Sequence, residues 1–480
     1  MIVVGGGISG LAAAHGLVQL SRERGIAVGL TLLEARGRRG GTIATERAGG
    51  FLIEAGPDSF LSEKPWALEL CQRLGVTDRL VRTDDRFRKT FVVHRGRLHA
   101  LPEGFQLLAP TRLMPLFASS LFSWPGKLRM ALDLVLPRGG SEEESLGAFV
   151  RRRLGREALE RVAQPLAAGI YTADPDQLSL AAAMPRFLEM ERRDRSLILA
   201  LWKAGRRAPE GGSGASGARW SLFVTFADGM EELVRILAER LPSGSVRLKE
   251  RVEAVVREGS RWNVALSDGS ALEADALILA TEAYQTARLT RYLDPVLSRL
   301  LETIPYASSA TVSLAYRRED IPHPLDGFGF VVPRSEGRPI LACTFCSIKY
   351  PRRAPEGFAL LRLFLGGALD ERVLQEDDEK LLALGRSQLA DLLGVTAPPC
   401  LSRVHRFPAS MAQYELGHLD RVATIQRRVR EHPGLALAGS AYWGVGIADC
   451  IHSGEMAASR LLEDLRSQTR PGPGQPTQRP

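Results

Sequence analysis

Three glycines, Gly5, Gly7 and Gly10, stand between an apolar triplet, Ile2-Val3-Val4, and a run whose apolar residues recur at helical spacing, residues 8–24. That order suits one kind of chemistry, the holding of phosphate. Gly5 permits a tight turn, Gly7 lets backbone approach a pyrophosphate, and Gly10 lets a helix pack closely on a strand. The start of the helix, with Gly6, Ile8 and Ser9 in the same loop, offers free N–H groups and the positive end of its dipole. Glu34 closes the next apolar run, 28–34, where a carboxylate is placed to bind a ribose hydroxyl. A lone glycine triplet is weak evidence. Strand, glycine loop, helix and acidic strand end in that order describe a βαβ dinucleotide site.

Two further segments narrow the dinucleotide. After Glu34 and Ala35 comes Arg38-Arg39-Gly40-Gly41-Thr42, which resembles the second glycine doublet of the amine-oxidase and phytoene-desaturase superfamily. Such a turn lets backbone and Arg38 approach phosphates. Far downstream, LALAGSAYWGVGIADCIHSGEMAA, residues 435–458, resembles the closing flavin segment of that superfamily. There Gly439 ends a strand, and Gly444-Val445-Gly446 brings backbone close to a flavin at the start of a helix. The resemblance implies FAD rather than NAD, held by residues from both ends of the chain.

Four more runs are similar to the oxygen-dependent protoporphyrinogen oxidase family within that superfamily. They are Glu54-Ala55-Gly56-Pro57-Asp58-Ser59-Phe60, with Asp58 where Asn is common, and Gly169 to Asp174, with Ala173 replacing a Gly. Asp326 to Pro333 and Gln413 to His418 follow, with Ala412 in place of a Pro. The resemblance spans residues 1 to about 465. It implies that Gly5 to Gly10, Glu34, Ala35 and Thr42 hold adenosine and pyrophosphate. Gly56, Pro57, Asp58 and Ser59 pass the isoalloxazine, Val252 meets adenine through backbone, and residues 444–446 close over the flavin. For a porphyrinogen it implies one wall of Leu166 and Gly169 and another of Phe328, Gly329, Val331, Leu341 and Phe364. A flat apolar ring needs flat apolar walls, although any of these residues singly suits an ordinary core.

The implied activity is oxidation of protoporphyrinogen IX to protoporphyrin IX in heme biosynthesis, with O2 as acceptor and H2O2 as product. Coproporphyrinogen III is an alternative substrate, and an amine oxidase an alternative enzyme on the same fold. The cysteine that some amine oxidases link to flavin is missing from Ala441-Tyr442-Trp443. A non-catalytic relative, the GDP-dissociation inhibitor, shares the fold but does not use FAD, and the intact glycine loop argues against it. The family's basic residue for a substrate propionate falls at Thr90, flanked by Arg88 and Lys89. Strand alternation aims Lys89 to the opposite face. No residue stands out as a catalytic acid or base.

The elements that must position these groups form a large soluble chain. Its 480 residues exceed one ordinary core. The 63 basic residues nearly balance 55 acidic ones, so the net charge of +8 suits acidic substrates or an anionic lipid surface, and no nucleic-acid module is visible. The expected class is α/β. A discontinuous Rossmann-like FAD-binding domain would take 1–86, 221–302 and 420–466. A mixed-sheet α+β substrate domain would take 87–111 and 303–419. A helical, membrane-associating subdomain would take 112–204, a flexible loop 205–220 and a disordered tail 467–480. Residues 246–280 alternate as strands about a turn at Asp268-Gly269.

From Arg112 to Pro137, Leu113, Leu116, Phe117, Leu121 and Trp124 recur at helical spacing, with Lys127 and Arg129 among them. The run is too interrupted to span a bilayer, but it suits the anionic cytoplasmic face of a membrane. Arg151-Arg152-Arg153 reads as a solvated helix face. Five scattered cysteines form no framework, and Cys343 and Cys346 read as buried thiols rather than metal ligands. Cysteine usage and the lack of a charged leader point to the cytosol. A homodimer remains open.

Overall fold

Ile2-Val3-Val4 is fully buried and pairs in parallel on both sides, which an apolar run without alternation can tolerate. In the computed structural model, which describes residues 1–106, 109–110, 113–141, 143–207 and 222–469, this strand, β1, centres a five-stranded parallel sheet. Its order is Val246–Leu248, Thr31–Glu34 (β2), β1, Leu277–Leu279, Leu435–Leu437. Between β1 and β2 runs α1, Ile8–Arg24, which ends on Gly25 in the left-handed region. The final helix, Ile447–Thr469, meets α1 where a Cβ on Gly454 would lie 2.2 Å from the Ser9 carbonyl. Only glycine permits that crossing. A three-stranded antiparallel sheet, 252–274, turns at Asp268-Gly269 as its alternation predicts.

The strand expected over 28–34 begins only at Thr31. Val28, Gly29 and Leu30 approach the sheet without joining it, and the Gly29 carbonyl instead accepts from the N-terminal ammonium at 2.7 Å.

Contacts divide the chain into two compact units, one of residues 1–41, 233–303 and 421 onward, the other of 42–232 and 304–420. This division differs from the expected boundary at residue 86, because 42–86 and 222–232 cluster with the second unit. The cause is visible there: buried Glu54 accepts from Met230 N and Thr45 Oγ1, both at 2.8 Å, and Arg353 donates to the Ala227 and Phe226 carbonyls. The expected loop at 205–220 lies almost wholly, and the tail at 467–480 mostly, outside the described residues.

The second unit holds a seven-stranded mixed sheet in the order Leu401–Ala412, Tyr306–Arg317, Phe358–Gly366, Ala342–Phe345, Gly329–Val331, Thr90–His94, Arg97–Ala100. Only the pairing of Gly329–Val331 with Thr90–His94 is parallel. One face is core: Phe91, Phe330, Cys343, Leu363 and Val312 pack with Leu381, Leu389 and Leu393 of helix Asp378–Leu393. The described residues of 113–207 are mostly helical. The arginine triplet there is not a solvated face, since three consecutive helical residues span about 200° of circumference. Arg153 is fully buried against Asp133, Arg152 pairs with Glu144 and Glu191, and only Arg151 reaches outward.

Candidate functional site

In the first unit, Gly5 adopts φ +107, and a Cβ there would press on the Ala280 carbonyl at 2.7 Å. A Cβ on Gly10 would lie 1.9 Å from the Gly5 carbonyl. Both glycines are demanded by the fold itself. Gly7 is not: its φ is an ordinary −70°, and the nearest atom to an added Cβ, Gly41 Cα, would be 4.0 Å away. Nothing within the described residues demands a glycine at that place, and the space beside its backbone is open.

The N-terminus of α1, beginning at Ile8 and Ser9, carries no side-chain cap and no acidic residue in its first turn. Its leading N–H groups are thus left without a side-chain acceptor, as at helix ends that suit anions. The Arg38–Thr42 turn runs beside Gly7, with Gly40 N bonded to the Gly6 carbonyl at 2.8 Å, Gly41 at φ +61, and Arg38 Nη2 donating to the Gly41 carbonyl.

Glu34, which ends β2, is buried, yet each carboxylate oxygen accepts only one backbone bond. Oε2 takes Gly6 N at 2.7 Å and Oε1 takes Arg36 N at 2.8 Å. Lone pairs remain for hydroxyl donors next to Ala35. Val252, buried at the start of its strand, offers its carbonyl to Arg288 at 3.5 Å. Gly439 N donates to Ser453 Oγ at 3.0 Å, and an added Cβ there would meet only Thr281 O, at 3.8 Å. Gly444 has a reason within the chain. A Cβ on it would fall 2.3 Å from Asp449 Cγ, so Gly444 is set by that carboxylate in the first turn of the closing helix, with Val445 and Gly446 between them. Uncapped helix, open backbone over Gly7 and half-used carboxylate together fit an adenine dinucleotide.

In the second unit, Gly56 leaves no room for a side chain, since a Cβ would be 2.2 Å from the Thr42 carbonyl. Beneath the turn Glu54–Ser59 lies a buried ionic cluster. Arg362 Nη1 donates to the Glu54 and Gly56 carbonyls at 2.9 and 2.8 Å, and its Nη2 lies 3.1 Å from Asp58 Oδ2. Lys349 Nζ lies 3.3 Å from the same oxygen, between the rings of Phe223 and Tyr350. Ser59 Oγ donates to Asp58 Oδ1 at 2.8 Å, and Pro57 completes the turn. Although burial disfavours its charge, Lys349 and Arg362 hold the Asp58 carboxyl well below the usual carboxylate range. Glu54 moves the other way, pushed up to about 6 by burial, with Arg353 at 3.9 Å.

The sheet face opposite the core presents Val331, Ala342, Phe364 and Thr311 in one cross-strand row. Helix Gln164–Tyr171, which carries Leu166 and Gly169, lies on that row, and a Cβ on Gly169 would be 3.9 Å from Ala342 Cβ. Phe364 is half-buried under the Arg362 guanidinium, 4.9 Å from its ring, whereas Leu363 is fully buried. Phe328 and Leu341 are half-buried on the flanking loops. Gly329 has a reason of its own, since a Cβ would fall 2.0 Å from the Cys343 carbonyl. Lys89 is already paired with Asp326 at 2.8 Å.

Sequence reasoning passed over Arg362, Lys349 and Glu54. The visible signal was a charged residue inside the apolar strand run Leu361-Arg362-Leu363-Phe364, because a buried charge needs partners.

A family profile described as flavin containing amine oxidoreductase matches residues 8–462. The chain is 34% identical to the coproporphyrinogen III oxidase of Bacillus subtilis (strain 168), over 97% of this chain and 98% of that one. It is 33% identical to the protoporphyrinogen oxidase of Bos taurus, over 96% and 98%. A crystal structure from Exiguobacterium sp. 255-15, provisionally named protoporphyrinogen oxidase, superposes with a TM-score of 0.83 at 32% identity, over 96% and 98%. Glycine loop, buried carboxylate and full-length similarity converge: this chain belongs to the flavin-containing amine oxidoreductase family and is an FAD-dependent oxidoreductase.

Proposed function

We propose that the protein oxidises a porphyrinogen to a porphyrin in heme biosynthesis, with coproporphyrinogen III as its preferred substrate and O2 as acceptor. The observation that carries this reading is similarity along nearly the whole chain to enzymes named for porphyrinogen oxidation. Relatives named coproporphyrinogen III oxidase match at 34%, 35% and 31% identity, and those named protoporphyrinogen oxidase at 33%, 31%, 30% and 28%. The two highest identities belong to relatives named coproporphyrinogen III oxidase, which supports that preference.

FAD, when held at the glycine loop, would supply the hydride acceptor and the route for electrons to O2, with H2O2 as product. Over the whole oxidation three hydrides leave methylene bridges, two protons leave pyrrole nitrogens, and the third proton leaves the remaining methylene as imine–enamine tautomerisation spreads the conjugation. Three cycles complete a six-electron oxidation. On this reading Gly5 to Gly10, Glu34, Ala35, Arg38, Gly41 and Thr42 hold adenosine and pyrophosphate, with Val252 and Gly439 beside them. Gly56 to Ser59 and residues 444–446 line the ring. The apolar row of Val331, Ala342 and Phe364, with Leu166, Gly169, Phe328 and Leu341, orients the macrocycle and excludes water.

Aerobic turnover of both porphyrinogens side by side, with chromatography of the fluorescent products and H2O2 assay, tests the reading. Faster formation of coproporphyrin III is expected. Turnover of neither, with O2 uptake on a polyamine, would overturn it.

A cytoplasmic enzyme that meets a membrane is the further part of this proposal. Trp124, Leu128, Leu132 and Val135 are 64%, 59%, 47% and 66% exposed, at the spacing of one helical stripe. The bases counted toward an anionic surface turn inward instead. Lys127 is buried, donating to the Phe117 carbonyl at 2.8 Å, and Arg129 donates to the carbonyls of Arg151, Arg152 and Arg153 at the end of helix Leu146–Arg153. Contact would rest on apolar burial rather than charge. Among the described residues no helix is long and apolar enough to cross a membrane.

A further inference from the structure

We propose that Arg362, Lys349 and Asp58 are positioning residues that hold the Glu54–Ser59 turn and set the charge beside the cofactor ring, with Asp58 trimming that charge by one. The inference rests on the reading that Gly56–Ser59 run beside the isoalloxazine.

Three cations surround this turn, Arg353 and Arg362 buried and Lys349 half-buried, against two carboxylates, buried Glu54 and half-buried Asp58. Position and charge are separable in the geometry. Arg362 grips backbone, through the carbonyls of Glu54 and Gly56, while its Nε has no hydrogen-bond partner among the described residues. Lys349 touches no backbone of the turn in this cluster. It reaches Asp58 through both carboxylate oxygens at 3.4 and 3.3 Å, and is packed between two rings.

Asp58 stands where the resembling motif commonly has Asn. An amide there could still accept from both cations, but would leave their charges uncompensated. The carboxylate therefore changes the electrostatics of the turn more than its shape. Uptake of a hydride, two electrons with one proton, adds one negative charge to the accepting ring. Nearby positive charge favours the reduced form, and in a buried setting the effect is not screened away.

The test uses the FAD-loaded full chain and three variants, read by the visible flavin spectrum, FAD affinity and the midpoint potential. Asp58→Asn should raise the potential and Lys349→Met should lower it. Each should change the reduced-to-oxidised ratio in a fixed redox buffer by roughly tenfold, about 30 mV for a two-electron couple. Arg362→Lys keeps the charge but cannot make the same paired carbonyl bonds. It should keep the potential near wild type while weakening FAD binding and shifting the flavin band. If the charge variants shift the band but move the potential in the same sense, the charge assignment is overturned while the placement of the turn stands. If the variants alter neither band nor potential, the turn does not lie beside the ring, and both ideas fall.

Discussion

Glu54 shows how one side chain can make a fold sensitive to pH. Burial raises its carboxyl from 4.5 to about 6, so the folded protein holds this proton more tightly than the unfolded chain does. The associated stability is fully present below pH 4.5 and is lost as pH rises through 6. A shift of that size corresponds to about 2 kcal/mol. Glu54→Gln keeps acceptor and shape while fixing the neutral form. Its Tm should match wild type near pH 4.5 and exceed it increasingly toward pH 7.5, as scanning calorimetry on the FAD-loaded protein would show. No widening between the two would mean that Arg353 compensates the charge fully.

The neighbouring pair Leu363 and Phe364 divides stability from function along one strand. Leu363→Ala empties core and should cost ~2–5 kcal/mol, with near-normal kcat/KM per folded molecule. Phe364→Ala should lose only about 1 kcal/mol, mostly its cation–π contact, but lower kcat/KM for the porphyrinogen roughly tenfold. Denaturant melts and steady-state kinetics on the same preparations decide it. Equal damage to stability with untouched turnover would move the macrocycle elsewhere.

At the scale of elements, the glycine loop separates what the fold needs from what the ligand needs. Gly10→Val should fail to fold, because even a Cβ would be 1.9 Å from the Gly5 carbonyl. Gly7→Ala should fold with normal circular dichroism yet emerge pale, with FAD occupancy below a tenth of wild type. Coloured Gly7→Ala protein would remove the pyrophosphate from that place. The stripe on helix Trp124–Ala131 makes a second prediction. Trp124→Ser with Leu128→Ser should abolish co-sedimentation with vesicles, and wild-type binding should persist at high salt, since Lys127 and Arg129 face inward. Binding that vanishes with salt would return the role to charge.

The βαβ start was legible because strand, glycine turn and helix are local patterns with fixed spacing. The arginine triplet and the strand over 28–30 were misread because a composition run carries no angular information. The cluster of Asp58, Lys349 and Arg362 joins residues some 300 positions apart, and no local period reports such a meeting. For the same reason the second unit's claim on 42–86 was hidden.

For the molecule as a whole, the first unit is assembled from three stretches, 1–41, 233–303 and 421 onward. Its sheet is not filled until Leu435–Leu437 takes its place beside Leu277–Leu279, and α1 is not covered until Ile447–Thr469 lies on it. A ribosome adding ~5–20 residues per second needs roughly 20–85 s to travel from the glycine loop to that last strand. Throughout that interval the nascent chain carries an apolar helix face and an open strand edge, each a template for aggregation. The phosphate loop is thus the earliest part of the cofactor site to be made, and it must wait for the latest. The first unit therefore cannot close until synthesis has passed its last strand.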